Sequence, residues 1–469
     1  MNKVWDGWIG GKRGIFAKNF RQMFLDKSYY KANFTLALPI ILASMGQSLV
    51  QMVDTMMVGR LGTLELAAVA FAGTISYNAL VIGMGIAMAL TPLTGQSFAR
   101  KEYKNIAILL QNSLSLNTLI SLIIVSILLI LTPFLDYFGQ PKEVIDICKP
   151  YYLIITISFL PQLIFLSFKQ FMEGIGITKP SMAITISANI LNIILNYLLI
   201  YGKFGFPQMG VTGAAIATFI SRLLMPIAFF IYLYLKQNYR RYLSFFALSN
   251  LSKFYHIKLL RLGIPIAGQM FLEFFSLLGV TIMMGWVSAY ALAAYQIVIT
   301  IVGTTFLIAS GVANSTTILI SQEFGRNNMK ELNKQFKTGF QLSLLTMSCM
   351  AIIMIFGGRY IAMIFSIDQE VIELSNQFFI VAGVFQIIDG SQVSVLGALR
   401  GINDVAKPMK YAFISYVFVA LPFAYICGFV LNLGSWSIFA GFLVGLLTAA
   451  ILYYRRFRKV VKRYTIKQK

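Results

Sequence analysis

Three carboxylates stand where hydrocarbon side chains are expected. Of the 17 acidic residues in the chain, Asp54, Glu273 and Asp389 alone fall well inside long apolar stretches. A charged side chain at the centre of a bilayer costs about 2.5 kcal/mol or more. An acid at that depth therefore normally faces a protein-lined cavity, where it binds or relays ions; the competing role is a protonated acid that ties two helices together. The neighbouring residues favour a cavity. Ser44, Gln47, Gln51 and Asp54 recur at spacings of three and four and share one face of a helix. Thr185, Asn189, Asn192 and Asn196 repeat the pattern further on, and would set neutral oxygens beside Asp54 if the two helices pack together. One carboxylate with amide and hydroxyl oxygens suits a hard ion, so Asp54 is a candidate sodium ligand or proton carrier. In the second half, Gln269 and Glu273 lie one turn apart, as do Gln386, Asp389 and Gln392, giving a second candidate site; Gln296 is a further candidate for the cavity wall. Burial disfavours an ionised carboxylate and a bound cation favours it, so proton, metal ion and organic cation can compete for one acid. Such competition is an exchange mechanism.

The elements that must position these groups are membrane helices. Fifty-eight per cent of the 469 residues are hydrophobic and 12% charged, against about 45–50% and about 25% in soluble domains. Apolar stretches long enough to cross a bilayer as helix recur along nearly the whole chain. Breaking them at charged or Gly/Pro-rich points predicts twelve helices, at 34–58, 68–96, 106–132, 150–171, 181–201, 210–235, 262–285, 291–320, 338–357, 373–398, 410–430 and 436–454. Pro39 in the first and Pro265 in the seventh are candidate hinges, since each removes a backbone donor from its helix.

The net charge of +22 is distributed as topology. Counting along the sequence, 33 Lys and Arg fall in the termini and the loops of one side or at the span ends that border them (Lys169 and Lys410), five on the other, and Arg222 inside a span. The excess places both termini in the cytoplasm of a multi-pass protein of the bacterial inner membrane. Anionic lipid is the partner expected for this charge, and nucleic acid is not. Residues 1–33 lack an apolar core and are not a cleavable signal; they are read as a cytoplasmic segment. An N-lobe over 34–235, a cytoplasmic linker over 236–261, a C-lobe over 262–454 and a basic cytoplasmic tail over 455–469 follow.

The two lobes repeat each other when the chain is slid by about 226 residues. Leu38-Pro39-Ile40 meets Ile264-Pro265-Ile266; Gln96, Phe98 and Arg100 meet Gln322, Phe324 and Arg326; and Glu173-Gly174-Ile175 meets Arg400-Gly401-Ile402. An even number of helices per copy starts both on the same side, a parallel repeat about an axis along the membrane normal. The duplication also makes a functional monomer the expectation. Enzyme classes find little support: one histidine, His256, in a basic stretch, no HExxH, no paired Cys/His ligands and no phosphate-cradling loop. Cys148, Cys349 and Cys427 lie far apart, so no disulfide framework or metal site is expected, and no cofactor. A Walker A motif is also lacking, which points away from ATP as the direct driver. Aromatics at 14% and 21 methionines could line an adaptable pocket.

The sequence from about 34 to 455 resembles the multidrug and toxic compound extrusion (MATE) family, and its NorM-like branch in particular. The residues that carry the likeness are Pro39 with Asp54 and Gly59-Arg60-Leu61-Gly62; Phe171-Met172-Glu173-Gly174 with Pro180; Leu191-Asn192-Ile193-Ile194-Leu195-Asn196; Gly210 to Thr218; Phe271-Leu272-Glu273; and Asp389-Gly390-Ser391-Gln392-Val393 with Leu399-Arg400-Gly401 and Asp404. The resemblance implies an all-α, V-shaped pair of six-helix lobes that alternates between inward- and outward-facing states, expelling cationic or amphipathic drugs in exchange for sodium or protons. It implies a cation site in the N-lobe at Asp54, Asn192, Asn196 and Thr218, and a cation and substrate site in the C-lobe at Glu273 and Asp389. Asn196 departs from the archaeal and DinF-like pattern, which has a second carboxylate there. The alternative is a lipid-linked oligosaccharide flippase of the same wider superfamily, which would need a cationic cavity for its pyrophosphate head group.

Overall fold

The computed structural model describes residues 27–467. Among them there is no strand, and twelve helices are long and apolar enough to cross a membrane. They are α1 (Lys27–Gly59), α2 (Thr63–Ala99), α3 (Tyr103–Phe138), α4 (Lys142–Gly174), α5 (Lys179–Tyr201), α6 (Gly210–Leu235), α7 (Lys253–Val287), α8 (Ala289–Gly325), α9 (Met329–Phe365), α10 (Gln369–Gly401), α11 (Ala406–Val430) and α12 (Ser435–Ile466).

Each expected span has its helix, but most helices run longer than the apolar stretch that announced them. Hydropathy marks the part that crosses hydrocarbon, whereas a helix ends only where the backbone is capped or turned. Ser252, Ser288, Asn328 and Asp368 supply such caps, each accepting a hydrogen bond from a backbone N–H of the helix it starts. Left-handed residues stop the chain at equivalent places in the two copies: Lys101 and Asn327 after α2 and α8, Gly176 and Asn403 after α4 and α10.

Three expected boundaries change as a result. Of the stretch read as a cytoplasmic N-terminal segment, 27–33 is the first part of α1, and 1–26 lies outside the described residues. The linker shrinks, because Lys253 to Arg261, His256 included, form the opening turns of α7, and a short helix at Gln237–Leu243 takes up much of the rest. The basic tail is no separate segment as far as it is described. It continues α12, because Phe457, Val460 and Val461 carry an apolar stripe that is buried with Leu332, Phe336 and Leu399.

α1 to α6 form one lobe and α7 to α12 the other, and their joint lies at one end of the molecule. The first half of α1 packs on α8, where an added Cβ on Gly311 would sit 2.3 Å from Ile41. The second half leaves α8 for its own lobe, with Gly46 against Asn189 and the Tyr201 hydroxyl donating to the Met57 carbonyl at 2.9 Å. The mate of this contact in the repeat joins α2 to α7, where Gly85 admits Ala267 and Gly263 admits Ile86 with backbone in contact. That seam reaches as far as the edge-on rings of Tyr77 and Phe274. Hydrogen bonds between lobes gather at the end that carries the linker and α12's basic extension, among them Tyr29 to Glu331 and Asn33 to Thr316. From this linker end the lobes diverge as a V.

Pro39 and Pro265 lie inside continuous helices, at the depth where α1 and α7 touch the opposite lobe.

Candidate functional site

The amide ladder expected on α5 does face α1. Asn196, fully buried, donates through Nδ2 to Asp54 Oδ1. The orientation of the Asn192 amide follows from its neighbours: with its nitrogen toward Asp54 it donates to Oδ1 at 2.9 Å, while its oxygen accepts from the Thr218 backbone N–H at 3.3 Å. α1, α5 and α6 thus bring together the four residues expected at the N-lobe site. Gly46 is the local reason α1 comes so close, since an added Cβ there would already touch Asn189 Nδ2 at 3.4 Å. Polar atoms along this face of α5 remain unsatisfied: Asn196 Oδ1 beside the acid, and Asn189 Nδ2 and Thr185 Oγ1 two and three turns from it, have no hydrogen-bond partner. Buried polar atoms are usually paired, so this concentration marks a place built for something polar. Gln47 and Gln51 are exposed on α1 beside the site. Arg222, one turn beyond Thr218 on α6, donates to Ser158 Oγ at 2.7 Å, lies over the Phe159 ring, and is the cation whose field reaches Asp54.

The C-lobe site draws on four helices. Glu273 of α7 and Asp389 of α10 are near enough for their charges to oppose each other, and Tyr416 of α11 and Tyr453 of α12 feel the charge of Glu273. Asp389 is only 2% exposed and its Oδ1 has no partner. Gln392 holds its place by donating to the Tyr416 hydroxyl at 2.7 Å. α10 is pinned at this level by Gly390, where a side chain would meet Met347 at 2.4 Å and whose carbonyl accepts from Ser343 Oγ at 2.7 Å. Tyr416 sits in a π turn, Ile414–Ala420, the kind of helix irregularity often found at functional sites.

Two expectations about individual residues change. Arg400 lies beyond the span expected at 373–398, yet it is in α10, donating through Nη2 to Gln269 Oε1 at 3.0 Å and acting on Glu273. Arg222 is therefore not the sole basic residue placed against an acid within a lobe. The reason is helix length: α10 carries two turns past Gln392 before Gly401 ends it, and a long side chain can then reach back. Gln386 turns from Asp389 and donates to Thr305 of α8 at 2.6 Å. Gln296 is exposed on α8, as Gln47 and Gln51 are on α1. Tyr416 and Tyr453 escaped the sequence reading because a lone tyrosine in an apolar stretch carries no spacing signal. Among the described residues, no group of three or more His, Cys, Asp or Glu side chains could hold a metal ion.

The MatE family model matches the chain twice, at residues 39–198 and 265–426. The chain belongs to the MatE family. The two matches begin 226 residues apart, at Pro39 and Pro265, which is the repeat read from the sequence. This MatE chain is 28% identical over 432 residues to "Probable multidrug resistance protein NorM" of Bacillus licheniformis, covering 92% of this chain and 95% of that protein. Its fold is similar to a solved outward-facing conformation of a multidrug resistance MATE transporter of the MOP superfamily, with a TM-score of 0.82, 19% identity and coverage of 93% and 97%. A MOP superfamily transporter from Pyrococcus furiosus, described as having a binding pocket of reverse polarity, is equally similar in fold, with a TM-score of 0.81, 18% identity and the same coverage. One fold thus holds pockets of different polarity, and the charge of the site has to be argued from its residues.

Proposed function

We propose that the protein is a secondary active multidrug exporter that exchanges cationic or amphipathic compounds for sodium ions or protons by alternating access. The observation that carries this reading is the pair Glu273 and Asp389, a half-buried and a buried acid brought close to each other beside buried tyrosines. Two carboxylates so placed cannot both ionise without a compensating cation. Arg400 offsets part of that charge from below, and an organic cation or protons can supply the rest. Asp54, with neutral amides around it, takes one ion, so it is the coupling site in this scheme and the candidate sodium ligand. Its oxygen donors fit a hard cation in kind, and Asn196 Oδ1 is free to contribute. When bound, the ion supplies charge compensation; Asn192 and Asn196 hold the carboxylate in place.

The relatives' description as multidrug resistance proteins supports the substrate class. The excess of Lys and Arg at the linker end supports a cytoplasmic position for that end in the bacterial inner membrane. Self-contained lobes with an internal repeat support a working monomer. The flippase alternative is not favoured, because the two arginines that act on the site acids are each answered by one: Arg222 faces Asp54 and Arg400 faces Glu273. The experiment is efflux of a fluorescent organic cation from proteoliposomes with sodium and proton gradients imposed separately. Transport under one gradient identifies the ion; no transport under either, with correctly inserted protein, overturns the exporter.

A further inference from the structure

The seam at the linker end holds a feature that uses the internal repeat. Gln96 of α2 crosses to the other lobe and donates through Nε2 to the carbonyl of Gly401, the last residue of α10, at 3.0 Å. Its mate, Gln322 of α8, crosses the opposite way and donates to the carbonyl of Gly174, the last residue of α4, at 3.3 Å. Gln96 and Gln322 are equivalent in the repeat, and so are Gly174 and Gly401. Each glutamine therefore satisfies a C-terminal carbonyl that the helix itself leaves unpaired, and does so in the lobe it does not belong to.

The backbones allow nothing bulky between them. An added Cβ on Gly95 would lie 2.0 Å from Ser321 Oγ, again a pair of equivalent positions, and one on Gly325 would lie 2.5 Å from the Gln96 carbonyl oxygen. α2 and α8 thus cross on the pseudo-two-fold axis itself. The two crossings are not identical: Arg100 Nε also donates across the lobes to the Gly325 carbonyl at 3.1 Å, whereas the equivalent Arg326 pairs with Glu323 in its own lobe. Asn403, left-handed at φ 61°, donates a second hydrogen bond to Gln96 Oε1 at 2.9 Å, whereas the equivalent Gly176, at φ 85°, has no side chain to give Gln322.

We propose that Gln96 and Gln322 form a two-fold latch that holds the linker end of the cleft shut, and that both cross-lobe bonds break before that end can open. Breaking a single bond would leave the lobes still tied at the second crossing, so the pair makes closure cooperative. The Gln96 side is the tighter because of Asn403. The proposal rests on the exporter reading only in taking the lobes to move relative to each other.

The test reads that motion and needs no transported compound. Ser321 is fully buried in the crossing, so Ser321→Cys, in a chain whose three native cysteines are replaced, reports opening through its rate of labelling by a water-soluble maleimide in nanodiscs. Gln96→Leu and Gln322→Leu should each raise that rate on the order of tenfold, the loss expected for a buried acceptor left unpaired, and Asn403→Ala should raise it less than Gln96→Leu. Asn117→Ala, which removes a buried hydrogen bond to Ser167 inside the N-lobe, should leave labelling unchanged and so separates release of the latch from general loosening. Unchanged labelling in both leucine variants, a rise in one alone, or an equal rise in Asn117→Ala overturns the latch. If labelling responds as expected and proteoliposomes still carry no organic cation, the latch stands and the exporter reading falls.

Discussion

The two lobes repeat each other in helix order and in their seam, yet they differ in how much acid they gather. The N-lobe surrounds one acid, Asp54, with neutral amides from a single face of α5 and has Arg222 of α6 acting on it. The C-lobe places two acids against each other and sets a guanidinium near them. The contrast is sharpest at one register: the position just before the final glycine is Glu173 in α4 and Arg400 in α10. Glu173 is buried beside Lys169 at 3.9 Å and looks after itself, whereas Arg400 reaches to Gln269 and the acid pair. In the exchange proposed above, this duplicated scaffold binds a single small ion at one site and shares charge among several partners at the other.

The largest effect should come from the C-lobe. Glu273→Gln and Asp389→Asn should each lower organic-cation efflux by about a hundredfold or more, equivalent to about 2.7 kcal/mol, with insertion intact; wild-type drug resistance at equal expression would remove that residue from the transport cycle. Asp54→Asn should separate the lobes' roles. Ion-driven transport should fall about tenfold or more, equivalent to about 1.4 kcal/mol, while equilibrium binding of a fluorescent cation changes less than about twofold. Equal losses in binding and in coupling would erase the distinction drawn between the sites.

Arg400→Gln should tighten binding of an organic cation severalfold, because removing a like charge from a low-dielectric neighbourhood lowers the local potential; weaker binding would show that the guanidinium supports the site rather than competing with the substrate. Asn196→Asp would make the N-lobe resemble the C-lobe in charge, and sodium should then protect the protein from thermal unfolding by a few degrees more than it protects the wild type, as ligand linkage requires. No gain would count against Asp54 as an ion ligand. The smallest effect belongs to Gln296→Ala, which should leave efflux within about twofold, since Gln296 is exposed on α8 and carries no charge.

Much of the fold was legible because the rules that set it are local. Lipid admits only segments whose backbone bonds are satisfied internally, so apolar length alone marked twelve helices, and the shift of 226 residues marked two lobes. The N-lobe site was equally legible: Thr185, Asn189, Asn192 and Asn196 follow helix periodicity, and periodicity is written in sequence. What the sequence could not settle was which faces meet. Arg400 joins Glu273 through the length of α10 and the reach of its side chain, Gln386 turns to Thr305, and Tyr416 and Tyr453 arrive from helices with no polar pattern of their own. The pairing of Gln96 with Gly401 and of Gln322 with Gly174 lies likewise beyond any spacing rule, since it crosses from one lobe to the other. The sequence by itself determined the solvent, the number of spans, the duplication and the three acids well inside apolar spans, because each is a property of a segment. The tertiary structure alone decided which acids share a space, which arginine answers them and where the lobes are fastened, because those depend on how rigid helices pack at their glycines.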